Sequence, residues 1–202
     1  MNGHETEAKF YIRHLRKIEV RLQELKAQLI QPRTHETNLR FDNANSDLRS
    51  TYRVLRLRQD EKAHLTFKGP SEENEDGILS RQEIEFVVED FESARQFLEA
   101  LGFEAVVFYE KFRTTYEINK IHIMLDELPF GKFVEIEGES VKAIHNVADL
   151  LNLRWDVMIK AGYHALFERV AGKYNLEASQ LSFTALENVK ITSEDLSIQV
   201  SD

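Results

Sequence analysis

The 202 residues are enough for one domain with its own core, and 42% hydrophobic against 30% charged residues is typical of a folded globular protein. The chain has no cysteine, which excludes disulfides and thiolate metal sites. No apolar run approaches the roughly 20 residues of a membrane helix, and the polar N-terminus has no signal-peptide core, so we expect a cytoplasmic protein. The formal net charge of −9 argues against a nucleic-acid partner, but a local cluster of cations can still bind a small anion.

In chain order, the apolar patterns predict many short strands interleaved with a few helices. The strands are expected at residues 5–11, 38–42, 52–59, 64–68, 81–88, 106–117, 120–126 and 132–137. The helices are expected at residues 12–29, 92–101, 141–151 and 156–174. Pro32 is expected to end the first helix and Gly102 the second, while Ser140 and Asp156 are expected to cap the last two. Short connections favour antiparallel pairing, so the predicted class is α+β, built around a sheet or barrel.

Two further segments have no clear periodicity. Residues 69–77, which contain Pro70 and an acidic run, are predicted to form a turn or mobile loop. The pattern weakens again near the end of the chain. We therefore predict one domain over residues 1–174 and a C-terminal extension of unknown role over residues 175–202.

The first predicted helix carries an apolar stripe at spacings of three and four residues, formed by Leu15, Ile18, Leu22, Leu25 and Leu29. Such a stripe is typical of a helix packed on the body of its own domain. It is too short for a sustained heptad pattern, which makes a dimer-forming coiled coil the minority interpretation. A monomer and a homodimer both stay open.

The predicted strands alternate large apolar residues with charged ones, and successive residues of a strand point to opposite faces. The cations on the charged faces are Lys9, Arg56, Arg58, Lys68, Arg81, Lys111 and Arg113. The carboxylates are Glu5, Glu7, Glu83, Glu85, Asp126, Glu135 and Glu137. A half-buried sheet whose polar face meets water would explain any one strand. The whole set is unusual, because its polar positions are almost all charged and both signs occur together.

If this sheet closes with helices outside, its charges face inward. A charged interior is costly unless the groups are paired or bound to ligands. A polyanion with a divalent cation would satisfy both signs, since arginine and lysine bind phosphate oxygens and clustered carboxylates bind Mg²⁺ or Mn²⁺. The residues alone leave a polyphosphate or nucleotide site and a solvated polar face equally open.

An ordered series of motifs resembles the CYTH proteins, also called triphosphate tunnel metalloenzymes. The series begins with the E-x-E-x-K of residues 5–9 and continues with L-R-L-R at 55–58, T-F-K-G at 66–69 and R-Q-E-I-E at 81–85. It ends with K-F-R at 111–113, Asp126, G-K-F-V-E-I-E at 131–137 and Tyr163 in G-Y-H-A-L. A serine is commoner in the family where Gly162 stands. The resemblance covers roughly residues 3–167 and implies an eight-stranded antiparallel β-barrel that forms a tunnel, with helices packed outside.

The resemblance also implies a small-molecule triphosphate as substrate, Mg²⁺ or Mn²⁺ as cofactor and a role for each charged group. Glu5, Glu7, Glu135 and Glu137 are the expected metal ligands. Arg56, Arg58, Lys68, Arg81, Lys111 and Arg113 are the expected phosphate-binding groups, together with Lys9. Lys9, Glu83, Glu85 and Asp126 are the expected catalytic or orienting groups. We further expect neighbouring cations to lower the pKa of Lys9, so that it could accept a proton.

Three functions fit these expectations. The leading hypothesis is a metal-dependent triphosphatase acting on tripolyphosphate, a nucleoside triphosphate or thiamine triphosphate. The second is a class IV adenylate cyclase, which converts ATP to cyclic AMP and pyrophosphate. The third is a non-catalytic triphosphate or nucleotide sensor. An RNA 5′-triphosphate also stays open as a substrate.

Overall fold

The computed structural model describes residues 3–73, 78–177 and 179–202. These residues contain ten strands and five α-helices. The strands are β1 (Gly3–Ile12), β2 (Gln28–Asn43), β3 (Val54–Gln59), β4 (Ala63–Lys68), β5 (Glu72–Glu73), β6 (Leu79–Val88), β7 (Phe103–Ile118), β8 (Ile121–Leu128), β9 (Gly131–Glu137) and β10 (Gln180–Leu181). The helices are α1 (Leu15–Glu24), α2 (Asp47–Ser50), α3 (Phe91–Ala100), α4 (Val141–Leu150) and α5 (Tyr163–Tyr174).

Eight of the strands form a closed antiparallel ring. Their order is β1-β9-β8-β7-β2-β3-β4-β6, and β6 pairs with β1 to close it. The closing register places Glu5 opposite Arg81. The two short strands lie off the ring, since β5 pairs only with β6 and β10 pairs with β7. The predicted α+β class, with a closed eight-stranded antiparallel sheet and helices outside it, is confirmed.

Helices cover part of the outer face of the ring, where every second strand residue is apolar. Phe10, Ile123 and Ile136 are fully buried on that face, in one core with residues of α1 and α4. On another part of the ring, Leu57 of β3 is buried in a smaller core with Leu98 of α3. With the outer face committed to these two cores, the opposite face of each strand must line the inside of the ring.

One end of the ring is covered by α5 and the segment that follows it. Phe133 of β9 is fully buried in a third core with Phe167 of α5 and Leu196 of the tail. The tail also bonds to β1, since the backbone N–H of Ser201 donates to the carbonyl of Tyr11 over 2.9 Å. The boundary predicted at residue 174 remains a prediction, although the tail packs on the same core as α5.

Two predicted helices are shorter than expected, and the one expected over residues 12–29 begins only at Leu15, because Ile12 still belongs to β1. The helix expected over residues 12–29 ends at Glu24, because Lys26 adopts a left-handed backbone with φ of 56°. Residues 28–43 then form β2, which contains Leu29 and Pro32. The helix expected over residues 156–174 begins only at Tyr163. Asp156 lies in a short 3₁₀ turn, and the next residues stay extended because the N–H of Ile159 donates to the carbonyl of Lys9.

The helices expected over residues 92–101 and 141–151 are confirmed to within one residue at either end. Ser140 caps α4 as predicted by accepting from the N–H of Ala143. Of the loop expected over residues 69–77, residues 72–73 form β5, and residues 74–77 lie outside the described set. Within the described residues, no helix is long and apolar enough to cross a membrane.

Candidate active site in the tunnel

The inner wall of the ring is charged. Most of the charged residues predicted from strand alternation occupy strand positions that face this wall. Two groups stand out among them. The first group is a buried set of ion pairs around two carboxylates, which we call the floor cluster, made of Lys9, Lys111, Arg113, Asp126, Glu135 and Tyr163. The second group surrounds Arg56 and Arg58 on β3, which we call the arginine pair.

Asp126 is the centre of the floor cluster and is completely buried. Arg113 donates to both of its carboxylate oxygens, over 2.7 and 2.6 Å. Lys111 Nζ donates over 3.0 Å and the Tyr163 hydroxyl over 2.8 Å. These four donors occupy both carboxylate oxygens. Asp126 is therefore equipped to orient the two cations rather than to bind a further ligand.

Glu135 of β9 is the second carboxylate of the floor cluster. It accepts from Arg113 and forms an ion pair with Lys9 Nζ at 3.1 Å. Burial alone would raise the pKa of Glu135, but Lys9 and Arg113 outweigh burial and hold that pKa well below its ordinary value. Glu135 is therefore ionised at neutral pH and locked between two cations.

The predicted lowering of the Lys9 pKa is wrong. Burial does lower it, but the charges of Glu7 and Glu135 outweigh burial and the nearby Arg81, so the pKa of Lys9 is raised. The sequence could not show this, because the groups nearest to Lys9 come from β1 and β9 and are carboxylates. A raised pKa keeps Lys9 protonated at neutral pH, which suits a cation that binds phosphate better than a proton acceptor.

Both residues of the arginine pair bond to the same carboxylate, and each also has a donor that is not used. Arg56 and Arg58 each donate to Glu85 of β6, over 3.3 and 3.0 Å, and Glu85 also accepts from Thr66 over 2.7 Å. The Nε atoms of both arginines are buried and have no hydrogen-bond acceptor among the described residues. Arg58 Nε lies 3.4 Å from an Asp60 oxygen, which is an ion pair without a hydrogen bond.

The remaining predicted wall residues lie on β4 and β6. Lys68 forms an ion pair with Glu83 at 3.0 Å, and Arg56 lies 3.9 Å from the same carboxylate. Arg81 is opposite Glu5 in the register that closes the ring. The structure thus brings Glu83 and Glu85 to the arginine side of the tunnel, away from the Asp126 carboxylate with which they were grouped.

The predicted metal ligands lie on the two neighbouring strands β1 and β9. Glu7 is directly opposite Glu137 in the register, so two carboxylates of like charge face each other on the inner wall. The backbone places Glu5 on the same face as Glu7, but the Glu5 side chain lies outside the described set. Among the described residues, no three acidic or histidine side chains are arranged to hold a metal ion.

These residues nevertheless fit a divalent cation. Facing carboxylates on adjacent strands repel each other, and a hard cation between them would relieve that repulsion with the oxygen ligands that Mg²⁺ and Mn²⁺ prefer. Glu135 is already held in ion pairs by both Lys9 and Arg113.

Two buried polar residues of the inner wall were not predicted as part of a site. Glu36 and Asn38 lie on β2, and Asn38 Nδ2 donates to Glu36 over 2.9 Å. Glu36 also lies 3.7 Å from Lys111 Nζ. The sequence feature that could have identified both is the alternation of polar and apolar residues in E-T-N-L-R, residues 36–40. The predicted second strand begins at residue 38, which leaves Glu36 outside it.

The structure is thus a closed antiparallel ring whose inner wall carries carboxylates, which can bind a cation, and arginine donors, which can bind an anion. The CYTH domain family model matches residues 3–163. The chain therefore belongs to the CYTH family, as the motif series predicted.

Relatives of this chain share most of its length. A Methanocaldococcus jannaschii protein named "putative adenylate cyclase" is 29% identical over 170 residues, which cover 79% of this chain and 95% of that protein. The structure of a Vibrio parahaemolyticus protein of the same name has a TM-score of 0.75 at 18% identity, covering 83% of this chain and 99% of that one. A Hippeastrum protein described as having a dominant triphosphatase activity has a TM-score of 0.63 at 18% identity, covering 81% and 95%. These two structural matches show the shared fold.

Proposed function

We propose that this protein is a divalent-metal-dependent triphosphatase that cleaves tripolyphosphate, a nucleoside triphosphate or thiamine triphosphate inside the tunnel. The observation that supports this most is the pair of buried Nε–H groups of Arg56 and Arg58, which have no acceptor among the described residues. Buried donors are nearly always satisfied in folded proteins, and a phosphate group offers several acceptor oxygens. The arginine pair is therefore the proposed first contact for the triphosphate.

The other cations of the wall would bind the rest of the phosphate chain. These proposed substrate-binding groups are Lys9, Lys68, Arg81, Lys111 and Arg113. Phosphoryl transfer is catalysed mainly by positioning and by electrostatic stabilisation, and this set needs no covalent nucleophile for either. In this proposal Asp126 and Glu135 act as orienting groups, because they hold Lys9, Lys111 and Arg113 in fixed places. Glu83 and Glu85 do the same for Lys68 and the arginine pair.

Glu7 and Glu137 are the proposed principal metal ligands, with Glu5 and Glu135 as the further members of the set. A bound divalent cation would supply charge neutralisation on the phosphate oxygens and a water of lowered pKa. Glu7 also contacts Lys9 at 3.4 Å, which would place the metal-binding carboxylates beside a phosphate-binding cation.

A class IV adenylate cyclase is the second candidate, and the name of the Methanocaldococcus jannaschii relative favours it. The two reactions need different geometry at the same triphosphate. A hydrolase must admit water beside the γ-phosphate, whereas a cyclase must hold the ribose 3′ oxygen against the α-phosphate. The Hippeastrum protein supports the leading choice, because on the same fold its dominant activity is that of a triphosphatase.

The test is to incubate the pure protein with tripolyphosphate or ATP in the presence of Mg²⁺, Mn²⁺ or EDTA and to resolve orthophosphate, pyrophosphate and cyclic AMP. Metal-dependent orthophosphate without cyclic AMP is the expected result. Cyclic AMP with equimolar pyrophosphate would replace the triphosphatase by the cyclase. Binding without any product would replace both by a triphosphate sensor.

A further inference from the structure

Glu36 is a buried carboxylate in the tunnel wall for which the proposed reaction has no use. Its side chain is 3% exposed, on the part of β2 that lies between β3 and β7. Lys111 faces it from β7, with Nζ 3.7 Å from the carboxylate. Asn38, two residues along the same strand, donates a hydrogen bond to it and stands opposite Arg58 of β3. Glu36 therefore lies between the floor cluster and the arginine pair.

Four cations act on this carboxylate, and they come from both groups. Burial alone would raise the pKa of Glu36, but Lys111, Arg113, Arg56 and Arg58 together lower that pKa to about 2. Glu36 is thus fully ionised at neutral pH. Lys111 is the cation in ion-pair contact with it, at 3.7 Å, and the charges of the three arginines also act on it, so a phosphate group would favour the same environment.

The same four cations are the ones to which the proposed function assigns the triphosphate. An ionised carboxylate fixed among them neutralises part of their charge before any substrate arrives. The substrate must then bind to a wall whose positive potential is lower than the arginines and lysines alone would give. Asn38 holds the carboxylate in this place through its Nδ2 group.

We propose that Glu36 is an affinity-setting residue: an internal counter-ion that competes with the triphosphate for Lys111 and the arginine pair and so weakens the hold of the tunnel on its ligand. This inference rests on the proposed function, because it assumes that the tunnel binds a triphosphate. Weaker binding of the substrate also means weaker binding of the product, so the residue speeds release when release limits turnover.

The decisive experiment is calorimetric titration of the Glu36→Gln variant with tripolyphosphate in EDTA, where metal-dependent turnover cannot interfere. The amide keeps the shape and the hydrogen bond to Asn38 but removes the charge. We expect Kd to fall about tenfold relative to the wild type, since one buried unit charge is removed from the wall. The matched control is Glu127→Gln, which removes the same charge from an ion pair with Arg33 that is not part of the tunnel-wall clusters. It should leave Kd unchanged.

Thermal unfolding separates this role from a merely structural one. Without ligand, Glu36→Gln should melt below the wild type, because four cations lose a buried counter-charge. With saturating tripolyphosphate, its melting temperature should rise by more than that of the wild type, because the added anion replaces the lost charge. A purely structural Glu36 would instead give a lower melting temperature together with equal or weaker binding, and that result would overturn the proposal.

A second variant tests the same idea in the opposite direction and does not depend on the folding of the first. Asn38→Asp adds a negative charge beside Glu36, so Kd for tripolyphosphate should rise; an unchanged or lower Kd would count against the counter-ion. The two proposals fail in distinguishable ways. If the wild type binds none of tripolyphosphate, ATP and thiamine triphosphate, in EDTA or with Mg²⁺, the proposed function and this inference both fall. If the wild type binds and Glu36→Gln binds no tighter, only the inference falls.

Discussion

The floor cluster and the arginine pair are built from the same residue types but differ in how completely their charges are satisfied. In the floor cluster, Asp126 alone receives four donated hydrogen bonds, and Glu135 is held by two cations. In the arginine pair, the buried Nε atoms of Arg56 and Arg58 have no acceptor among the described residues. The same guanidinium group is thus engaged in hydrogen bonds at one place in the tunnel and keeps an unused donor at another.

This difference separates charges that are already satisfied within the fold from donors that are still available to a ligand. A buried ion-pair network is costly to break, because removing one partner leaves an uncompensated charge. A surplus donor costs stability in the empty protein and is satisfied when an anion binds. Variants of the floor cluster should therefore change stability first, and variants of the arginine pair should change affinity first.

The largest expected effect is the loss of stability in Asp126→Asn. The substitution removes the negative charge that faces Lys111 and Arg113 in a fully buried place, so the free energy of unfolding should fall by about 3 to 5 kcal/mol. Urea denaturation measures this free energy of unfolding. The control is Asp156→Asn, whose ion pair with Arg154 is exposed and should contribute nothing measurable. Equal stability of the two variants would remove the distinction between the two regions.

A pH series of unfolding should reveal the carboxylate that lies between the two regions. The folded-state pKa of Glu36 is lowered from its ordinary 4.5 to about 2. A lowered pKa contributes stability that is fully present above about pH 4.5 and is lost as the pH falls through about 2. The difference in unfolding free energy between the wild type and Glu36→Gln should therefore be about 3 kcal/mol near pH 7 and should shrink below pH 4.5. A difference that stays constant down to pH 2.5 would contradict this.

The proposed metal ligands allow a third test, on turnover. Glu7→Gln should reduce metal-dependent release of orthophosphate from tripolyphosphate by about 100-fold, because the amide is a poor ligand for a hard cation. The free energy of unfolding should change less than in Asp126→Asn, since Glu135 remains to pair with Lys9 at 3.1 Å. Glu19→Gln on the outer helix α1 is the control. Turnover near the wild-type rate in Glu7→Gln would sink the metal assignment.

The alternation of charged and apolar residues was sufficient to predict which charges share one face of each strand, whereas the closed eight-stranded ring was implied by the resemblance to the CYTH proteins. A strand has a period of two residues, so Arg56 and Arg58 had to share a face wherever β3 lay. The partner of each charge could not be predicted in this way. Lys9 meets Glu135 because β1 and β9 are neighbours in one particular register, which depends on how the whole ring closes. The error in the pKa of Lys9 followed from that missing information.

Glu36 was missed for a local reason. Strand β2 is irregular between Leu29 and Thr34, where its pairing with β7 shifts register twice. Pro32 lies in that stretch and reads in a sequence as a helix terminator, so the strand appeared to begin later than it does. The structure of the segment after residue 174 could not be predicted either, because turns and contacts with β1 and β7 hold it in place rather than a regular repeat.

Arg58→Gln has the smallest expected effect and distinguishes the two regions most directly. It removes one of the two arginines that have a spare buried donor, so Kd for tripolyphosphate should rise about 10- to 30-fold, the usual value of a charge-assisted hydrogen bond. Unfolding free energy should fall by less than about 1 kcal/mol, because Glu85 keeps Arg56, Thr66 and His64 as partners.

Two further variants decide whether the guanidinium itself matters. Arg58→Lys keeps the charge but loses the planar fork, so its Kd should lie between those of the wild type and Arg58→Gln. Arg33 pairs with Glu127 and belongs to neither the floor cluster nor the arginine pair. Arg33→Gln should therefore bind tripolyphosphate with the Kd of the wild type. If Arg58→Gln instead loses as much stability as Asp126→Asn and keeps its affinity, the spare donors are part of the fold. The triphosphate would then have to be held by the other cations of the wall without the arginine pair.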